Sequence, residues 1–431
     1  SKAYSLADIA ANELTLNSAT SLVGFISYGE KKGIEKLPVG NQPHFLSKDT
    51  PRYSIFEISY DGTSGGADIT NISQYGGSIK LEFLNGNTKQ SYVANSINTT
   101  TMFQALAKAS GNSTQCVYLD STGKFTRILG TNLFPNGSTQ NPYPSYNAYL
   151  ESLFKAQKED NSSLCTLTNL APGQPEGGTG SFGFVAIKDT GPKKKEKGRV
   201  TKGQTYNLDY HFKAFITQGL EAGSTGAPNG TYSIELKGHV NATIAGGQAS
   251  DKQSHKYDDL SITIAADDIA NNELYMTNFI YQATNTGTGI SVDFSGWSDV
   301  DNDFGSANVL AALKLKVAGD FAEGMTCGFV GSATTSTSVA SKTLGELSSY
   351  EWWKNPGLAY APAQATDSYY SVYGNVVSAN SDGKNGSKFS RGGVYGSPYD
   401  DRFGLNLISP DASTTEMKIS LLEDGDLKPN S

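Results

Sequence analysis

The run Tyr53 to Tyr60 (YSIFEISY) constrains the fold more than any other part of the chain. Phe56, Ile58 and Tyr60 alternate with Ile55, Glu57 and Ser59, and a period of two sends the two sets to opposite faces of a strand. Gly62 to Gly66 (GTSGG) breaks the run, and a second strand pattern follows at Ser78 to Leu84 (SIKLEFL). Strands divided by glycine-rich breaks predict a β-sandwich or barrel for this part of the chain.

After Asn98 the character changes. Thr101 to Lys108 (TMFQALAK) sets Met102, Phe103 and Leu106 on one helical stripe, and Ser145 to Lys155 (SYNAYLESLFK) does the same with Tyr149, Leu150 and Leu153. Between them, Val117 to Leu129 reads as strand, turn, strand. A Gly/Pro-rich passage from Leu170 to Thr205 ends in the lysine run Lys193–Lys197, the expected tip of a solvated hairpin. Strand patterns return at Tyr206–Phe215, Tyr232–Ile244 and Leu260–Ala265. A helix is expected over Asn308–Phe321, where Gly319 marks a kink or a close helix contact. The predicted fold class is β-rich α+β. A β domain covers 1–96 and is completed by 385–431; a mixed α/β domain covers 97–384, with a β-rich insertion near 170–290.

Composition narrows the function. The formal net charge is −8 and only 18% of residues are charged, against about 25% in an ordinary domain. Such a surface suits neutral partners and is a poor match for a phosphate backbone, so no nucleic acid is expected. No stretch approaches the ~18 uninterrupted apolar residues of a spanning helix, so no membrane insertion is expected either. The residues from Ser1 onward show no leader pattern, which leaves the compartment open. Cys116, Cys165 and Cys327 read as small buried thiols.

Several motifs match by letter alone. Gly178 to Gly183 (GTGSFG) precedes a strand pattern, Phe184–Ile187, so no helix N-terminus would face a pyrophosphate. Asp299 to Gly305 (DVDNDFG) resembles a calcium loop, but its glycine comes one place late and Leu310 stands where a bidentate acid is needed. His44, His211, His239 and His255 lack paired ligand spacing, and there is no GxSxG elbow. No metal and no cofactor is therefore expected, and carboxylates remain for chemistry. Glycoside cleavage uses two, one to protonate the leaving oxygen and one to activate water or attack. Glu57, mid-strand among apolar neighbours, suits a general acid facing a cleft. A solvated glutamate on the outer face of a sandwich is the competing reading.

Strings along the chain carry a resemblance: FEISYD followed by ADITNISQYGGSI, then TMFQALAKASG, ILGTNLFP with YPSYNAYLESLF, AGDFAEGMTCGFVGS, and YYSVYGNVVSANSDGK with VYGSPYDDRFG. In this order they resemble the bacterial β-1,3-glucanases of glycoside hydrolase family 64, relatives of the plant thaumatin-like proteins. The resemblance implies a thaumatin-like β-sandwich or barrel beside a mixed α/β domain, the two flanking a wide groove for a β-1,3-glucan or related polysaccharide. It also implies an extracellular protein and an inverting mechanism with a glutamate acid and an aspartate base.

The glutamate carries over onto Glu57, and groove-lining polar residues onto Ser59, Asp61 and Thr70. The C-terminal string brings Tyr395, Asp400 and Asp401 as substrate-binding candidates. The base does not carry over: Ser73 occupies its position, and a serine hydroxyl is no base without a proton-accepting partner. Asp68 lies at an odd offset from Ser73, on the opposite face of a regular strand; Asp61 and Asp400 are the other candidates for a substitute. Trp352, Trp353, Tyr369, Tyr370 and Tyr395 are candidate sugar platforms or core aromatics, and on a strand only one tryptophan of the adjacent pair would reach a groove. The expected function is β-1,3-glucan recognition with Glu57 as general acid in any hydrolysis. The alternative is a structural protein that reuses the scaffold in a homo-oligomer or filament.

Overall fold

The computed structural model describes residues 19–28, 51–60, 65–173, 184–186, 206–218, 232–244, 254–266, 269, 291–293, 307–335, 339, 341–360, 369–384, 394–396, 408–410 and 412–429. Asp61, Asp400, Asp401, the lysine run, the 178–183 motif and the 299–305 loop lie outside the described residues.

The first eight strands are β1 (Ala19–Ser27), β2 (Tyr53–Tyr60), β3 (Gly65–Thr70), β4 (Gln74–Tyr75), β5 (Ile79–Asn85), β6 (Thr88–Asn95), β7 (Val117–Leu119) and β8 (Phe125–Leu129). Helix α1 (Thr99–Ala109) lies between β6 and β7. Next come α2 (Asn147–Asp160), β9 (Cys165–Thr168), β10 (Phe184–Ala186), β11 (Tyr206–Gln218), β12 (Tyr232–Ile244), β13 (Ser254–Ile264) and β14 (Ser291–Asp293). Helices α3 (Ala307–Thr326), α4 (Ser349–Lys354) and α5 (Val372–Ala379) follow, then β15 (Ser381–Lys384), β16 (Val394–Tyr395) and β17 (Glu416–Leu421). The fold is β-rich α+β, with four sheets among the described residues.

The chain divides into two compact units, one of 1–134, 138–144 and 371–431, the other of 135–137 and 145–370. In the first unit, sheet β1-β2-β3-β16 and sheet β15-β6-β5-β17 share one apolar core with the smaller sheet β4-β8-β7. Ile58 and Ile69 come from the first sheet, Leu81 and Val93 from the second, and Phe125 and Ile128 from the third. Helix α1 starts at Asn98, whose side chain accepts from the Thr101 backbone N–H at 2.9 Å. Its stripe of Met102, Phe103 and Leu106 is buried as the spacing predicts. Phe103 stacks on Phe125 and meets Tyr75 edge-on, each at a centroid separation of 4.9 Å.

That burial sets the division of the chain. Residues 97–134, expected beyond a boundary at 96/97, pack within the first unit because α1 and β8 bury their apolar faces in its core. Residues 371–384 join them, since α5 buries Tyr373 and Val377 there and β15 pairs with β6. The C-terminal segment also returns: β17 pairs with β5, and beyond it Asp424 receives a 2.6 Å ion pair from Arg52 while its carbonyl accepts from Thr100 N.

In the second unit a six-stranded antiparallel sheet runs β10-β11-β12-β13-β14, with β9 also paired to β11. One face is apolar, with Phe212, Ile216, Ile234, Leu236 and Ile262 buried. Helix α3 is buried throughout residues 317–326, acids included. Asp320 accepts from the Tyr210 hydroxyl at 2.5 Å, and Glu323 accepts from the Cys327 thiol at 3.1 Å. A close approach occurs at Gly324 of this helix, where a Cβ would sit 2.6 Å from the Trp352 ring. Trp352 and Trp353 lie on α4 and are both buried, so the strand alternation expected of them does not apply. The capping box Ser348–Glu351 accounts for the helix, Ser348 N donating to the Glu351 carboxylate at 2.8 Å.

Two outcomes are expected for the second unit, whose sequence ranges contain all three tryptophans, so that intrinsic fluorescence follows its unfolding. Gly324→Ala forces the Trp352 ring and Val330 apart and destabilises the unit by about 1–3 kcal/mol in denaturant titration. Glu351 provides a pH test. Burial pushes its carboxyl up, but the Lys342 ammonium at 2.7 Å and the bonds from Ser348 outweigh this and hold it below the ordinary glutamate value. A lowered folded-state value contributes stability above the unfolded value of about 4.3, and the contribution is lost as pH falls through the folded one. Glu351→Gln therefore costs about 1 kcal/mol at neutral pH, and the gap to the native chain closes as pH falls through the acid range.

Candidate functional site

The register of β2 against β3 decides which side chains meet. Phe56 pairs with Ile69, Glu57 with Asp68, Ile58 with Ala67, and Ser59 with Gly66. Ile58, Ala67 and Ile69 belong to the core, with Phe56 packed against it. Glu57, Ser59, Asp68 and Thr70 therefore share the opposite face.

The flanking strands agree. On β1, Leu22 pairs with Ile58 and packs against the core, so its neighbour Val23, paired with Glu57, is on the outer side and exposed. On β16, Val394 pairs in parallel with Ile69 and is a core residue, which puts Tyr395, paired with Thr70, on the outer side. Residues from two distant parts of the chain thus meet on one face.

That face is graded in exposure. Ser59 is exposed and Glu57 half-buried, whereas Asp68, Thr70 and Tyr395 are 4%, 9% and 8% exposed. The Thr70 hydroxyl lies 2.8 Å from Asp68 Oδ1 and 3.5 Å from Glu57 Oε1. One hydroxyl thus stands between two carboxyl groups.

The end of β3 is held on both sides. Asn71 donates its backbone N–H to the Tyr395 carbonyl at 2.8 Å, and its own carbonyl accepts from the Tyr373 hydroxyl at 2.7 Å. Burial drives the Tyr373 hydroxyl far above its ordinary pKa, so it remains a neutral donor.

The expectation that Asp68 would lie on the wrong face is corrected here. It counted alternation from Ser73, but β3 ends at Thr70 and β4 begins at Gln74, so no regular strand joins the two positions. Counted within β3 and across to β2, Asp68 is on the Glu57 side.

Ser73 is 9% exposed. Its side-chain oxygen accepts from Asn132 Nδ2 at 2.9 Å, and its carbonyl accepts from Gly130 N, also at 2.9 Å. Gly130 is required there, since a Cβ would lie 2.2 Å from the Ile72 carbonyl oxygen. Asn132 was not read from the sequence as a site residue. It sits in the short 3-10 turn Thr131–Leu133, and nothing in its local spacing pointed back to Ser73.

Thiol chemistry finds no support. All three cysteines are free and buried, and burial raises the Cys116 and Cys165 thiols above their ordinary pKa. Tyr369 packs near Tyr146 and Tyr149 within the second unit, at centroid separations of 5.5 and 6.3 Å. Among the described residues no group of three or more His, Cys, Asp or Glu side chains is placed to hold a metal, and no helix is long and apolar enough to cross a membrane.

No protein-family model matches the chain, and no curated protein matches it. Among solved structures it is similar to a laminaripentaose-producing β-1,3-glucanase crystallised with laminaritetraose. The identity is 11%, the match covers 89% of this chain and 73% of the other, and the TM-score is 0.41. At that distance the reading of the site rests on its own residues.

Proposed function

We propose that the chain recognises a β-1,3-glucan on the outer face of sheet β1-β2-β3-β16, with Glu57 at the point of contact. One observation carries this reading. Glu57, Ser59, Thr70 and Tyr395, picked out as site residues from separate sequence strings, fall on a single sheet face, opposite the one that carries Ile58, Ala67 and Ile69. Glu57 and Ser59, the half-buried and exposed members of that set, offer a carboxylate and a hydroxyl to the hydroxyls of a pyranose, which need hydrogen-bond partners.

Cleavage is the narrower question. A half-buried glutamate next to an accessible sheet end can serve as general acid. The position where an aspartate base was expected carries a serine hydroxyl bonded to Asn132, and an amide takes no proton from it. Recognition is therefore the primary function proposed, with Glu57 as the acid in any hydrolysis.

The test is calorimetric titration with a soluble β-1,3-glucan, with a β-1,4-glucan as control. Hydrogen bonds to charged groups contribute about 1.5–3 kcal/mol. Glu57→Gln is thus expected to weaken β-1,3-glucan binding at least about tenfold. Absence of binding by the native chain overturns the proposal. Concentration-dependent self-association in the same preparation would then direct attention to the assembling alternative.

A further inference from the structure

We propose that residues 423–428, which follow β17, form a strap that closes over the starts of α1 and β2 and opens as one unit, separately from β17. The device does not depend on what the first unit binds.

The strap meets a need of α1. The first backbone N–H groups of a helix find no partner inside it. The Asn98 side chain caps the Thr101 N–H at 2.9 Å. The two N–H groups before it go to the segment after β17, Thr99 N donating to the Glu423 carbonyl and Thr100 N to the Asp424 carbonyl, each at 3.0 Å. Thr100 completes the contact with its side chain. Its hydroxyl donates to the same Asp424 carbonyl and accepts from the Leu427 N–H at 2.8 Å, which uses its one proton and a lone pair. The Leu427 carbonyl accepts from Phe125 N at 2.7 Å, at the start of β8, and the Lys428 carbonyl accepts from Gln104 Nε2 at 3.0 Å. On the other side the Asp424 carboxylate pairs with Arg52, whose guanidinium lies 3.9 Å from the Tyr28 ring centroid and whose carbonyl accepts from Tyr28 N. One short segment thus joins α1, β8 and the adjoining ends of β1 and β2.

These contacts depend on one another. Thr100 Oγ1 bridges Asp424 and Leu427 only while the chain turns back between them, and two left-handed residues make that turn, Gly425 at φ +72° and Leu427 at φ +56°. Glycine adopts this conformation freely, whereas leucine does so at a cost. Space is short as well, since a Cβ on Gly425 would lie 2.8 Å from Thr100 Oγ1. The bonds at the Leu427 N–H and carbonyl hold its backbone in place, so loss of one loosens the other.

The strap and β17 are held in different ways. Strand β17 pairs with β5 along its whole length, and Met417 and Ile419 pack against the core. In the strap Leu427 packs against the core, while Glu423, Gly425, Asp426 and Lys428 are exposed. The ion pair is also incomplete: Arg52 Nη1 and Asp424 Oδ1 are buried with no hydrogen-bond partner among the described residues, an arrangement that opening relieves. A segment with little buried apolar surface and a strained backbone opens at a lower free energy than the ladder beside it.

Amide hydrogen exchange, followed by NMR in the 15N-labelled full chain, reads the opening. The N–H groups of Thr99, Thr100, Phe125 and Leu427 are expected to share one opening free energy, with a shallow dependence on denaturant and below that of the β5–β17 ladder. Left-handed backbone disfavours a residue with a Cβ by enough for about a tenfold change in such an equilibrium. Gly425→Ala is therefore expected to speed exchange about tenfold at this whole set and to leave the ladder unchanged. Thr100→Val, which removes the hydroxyl bridge, speeds the same set together. Acceleration confined to Leu427 in Thr100→Val, with Thr99 and Phe125 at native rates, overturns the proposal. Release of the β5–β17 ladder along with the strap overturns it too. Both comparisons are made on the native and Thr100→Val chains, so a Gly425→Ala chain that fails to fold leaves the test intact.

Discussion

The pairing of β2 with β3 is the constraint on which the rest of the first unit depends. Burial of Ile58, Ala67 and Ile69 fixes the register, because a slip by one residue would turn these side chains to the outside and bring Glu57 and Asp68 into the core. Glycines permit the close approaches on either side of β2: a Cβ on Gly65 of β3 would lie 2.0 Å from the Ser59 carbonyl, and one on Gly24 of β1 would lie 2.1 Å from the Phe56 ring, which crosses β1 at that point. With the register set, the neighbouring strands inherit it: Leu22 and Val394 face inward, and Val23 and Tyr395 outward.

Much of this was legible in the sequence, for a local reason. Alternation in Tyr53–Tyr60 separates Glu57 from Ile58 without any knowledge of the partner strand. The α1 stripe and the Tyr232–Ile244 strand are equally local, and both occur as read. What failed was non-local or depended on an element's end. The parity count from Ser73 to Asp68 assumed a strand that stops at Thr70. Trp352 and Trp353 were read as a strand pair, although Ser348 and Glu351 form a capping box whose two partners stand three residues apart, a local signal that was overlooked. Asn132, by contrast, reaches Ser73 across 59 positions, and no window of local sequence contains that bond.

Buried polar groups in the second unit obey a different economy from those on the outer sheet face. Asp320 and Glu323 have no exposed surface although they lie one helical turn apart on α3. An isolated buried carboxylate costs several kcal/mol, and hydrogen-bond donors reduce that cost. Tyr210 and Cys327 supply donors here, so the thiol is engaged in supporting an acid and the tyrosine hydroxyl likewise. Asp320 ties α3 to β11 of its sheet through Tyr210, and Glu323 holds the thiol that follows its own helix, whereas Glu57 retains partial exposure.

The contrast between Ser73 and Asp68 limits where proton chemistry can occur in the first unit. A general base needs a lone pair and a place for the proton it takes. Ser73 places its oxygen against an amide N–H donor, and Asn132 cannot store a proton at ordinary pH. The β2–β3 pair has the opposite character, with two carboxyl groups within reach of one hydroxyl. Direct cross-strand partners hold their Cβ atoms about 4.5–5.5 Å apart, and the Thr70 hydroxyl lies within reach of both acids. On the glucan reading, the serine at position 73, bonded to an amide, favours a face that grips a sugar hydroxyl or glycosidic oxygen through Glu57 over one that completes an inverting displacement.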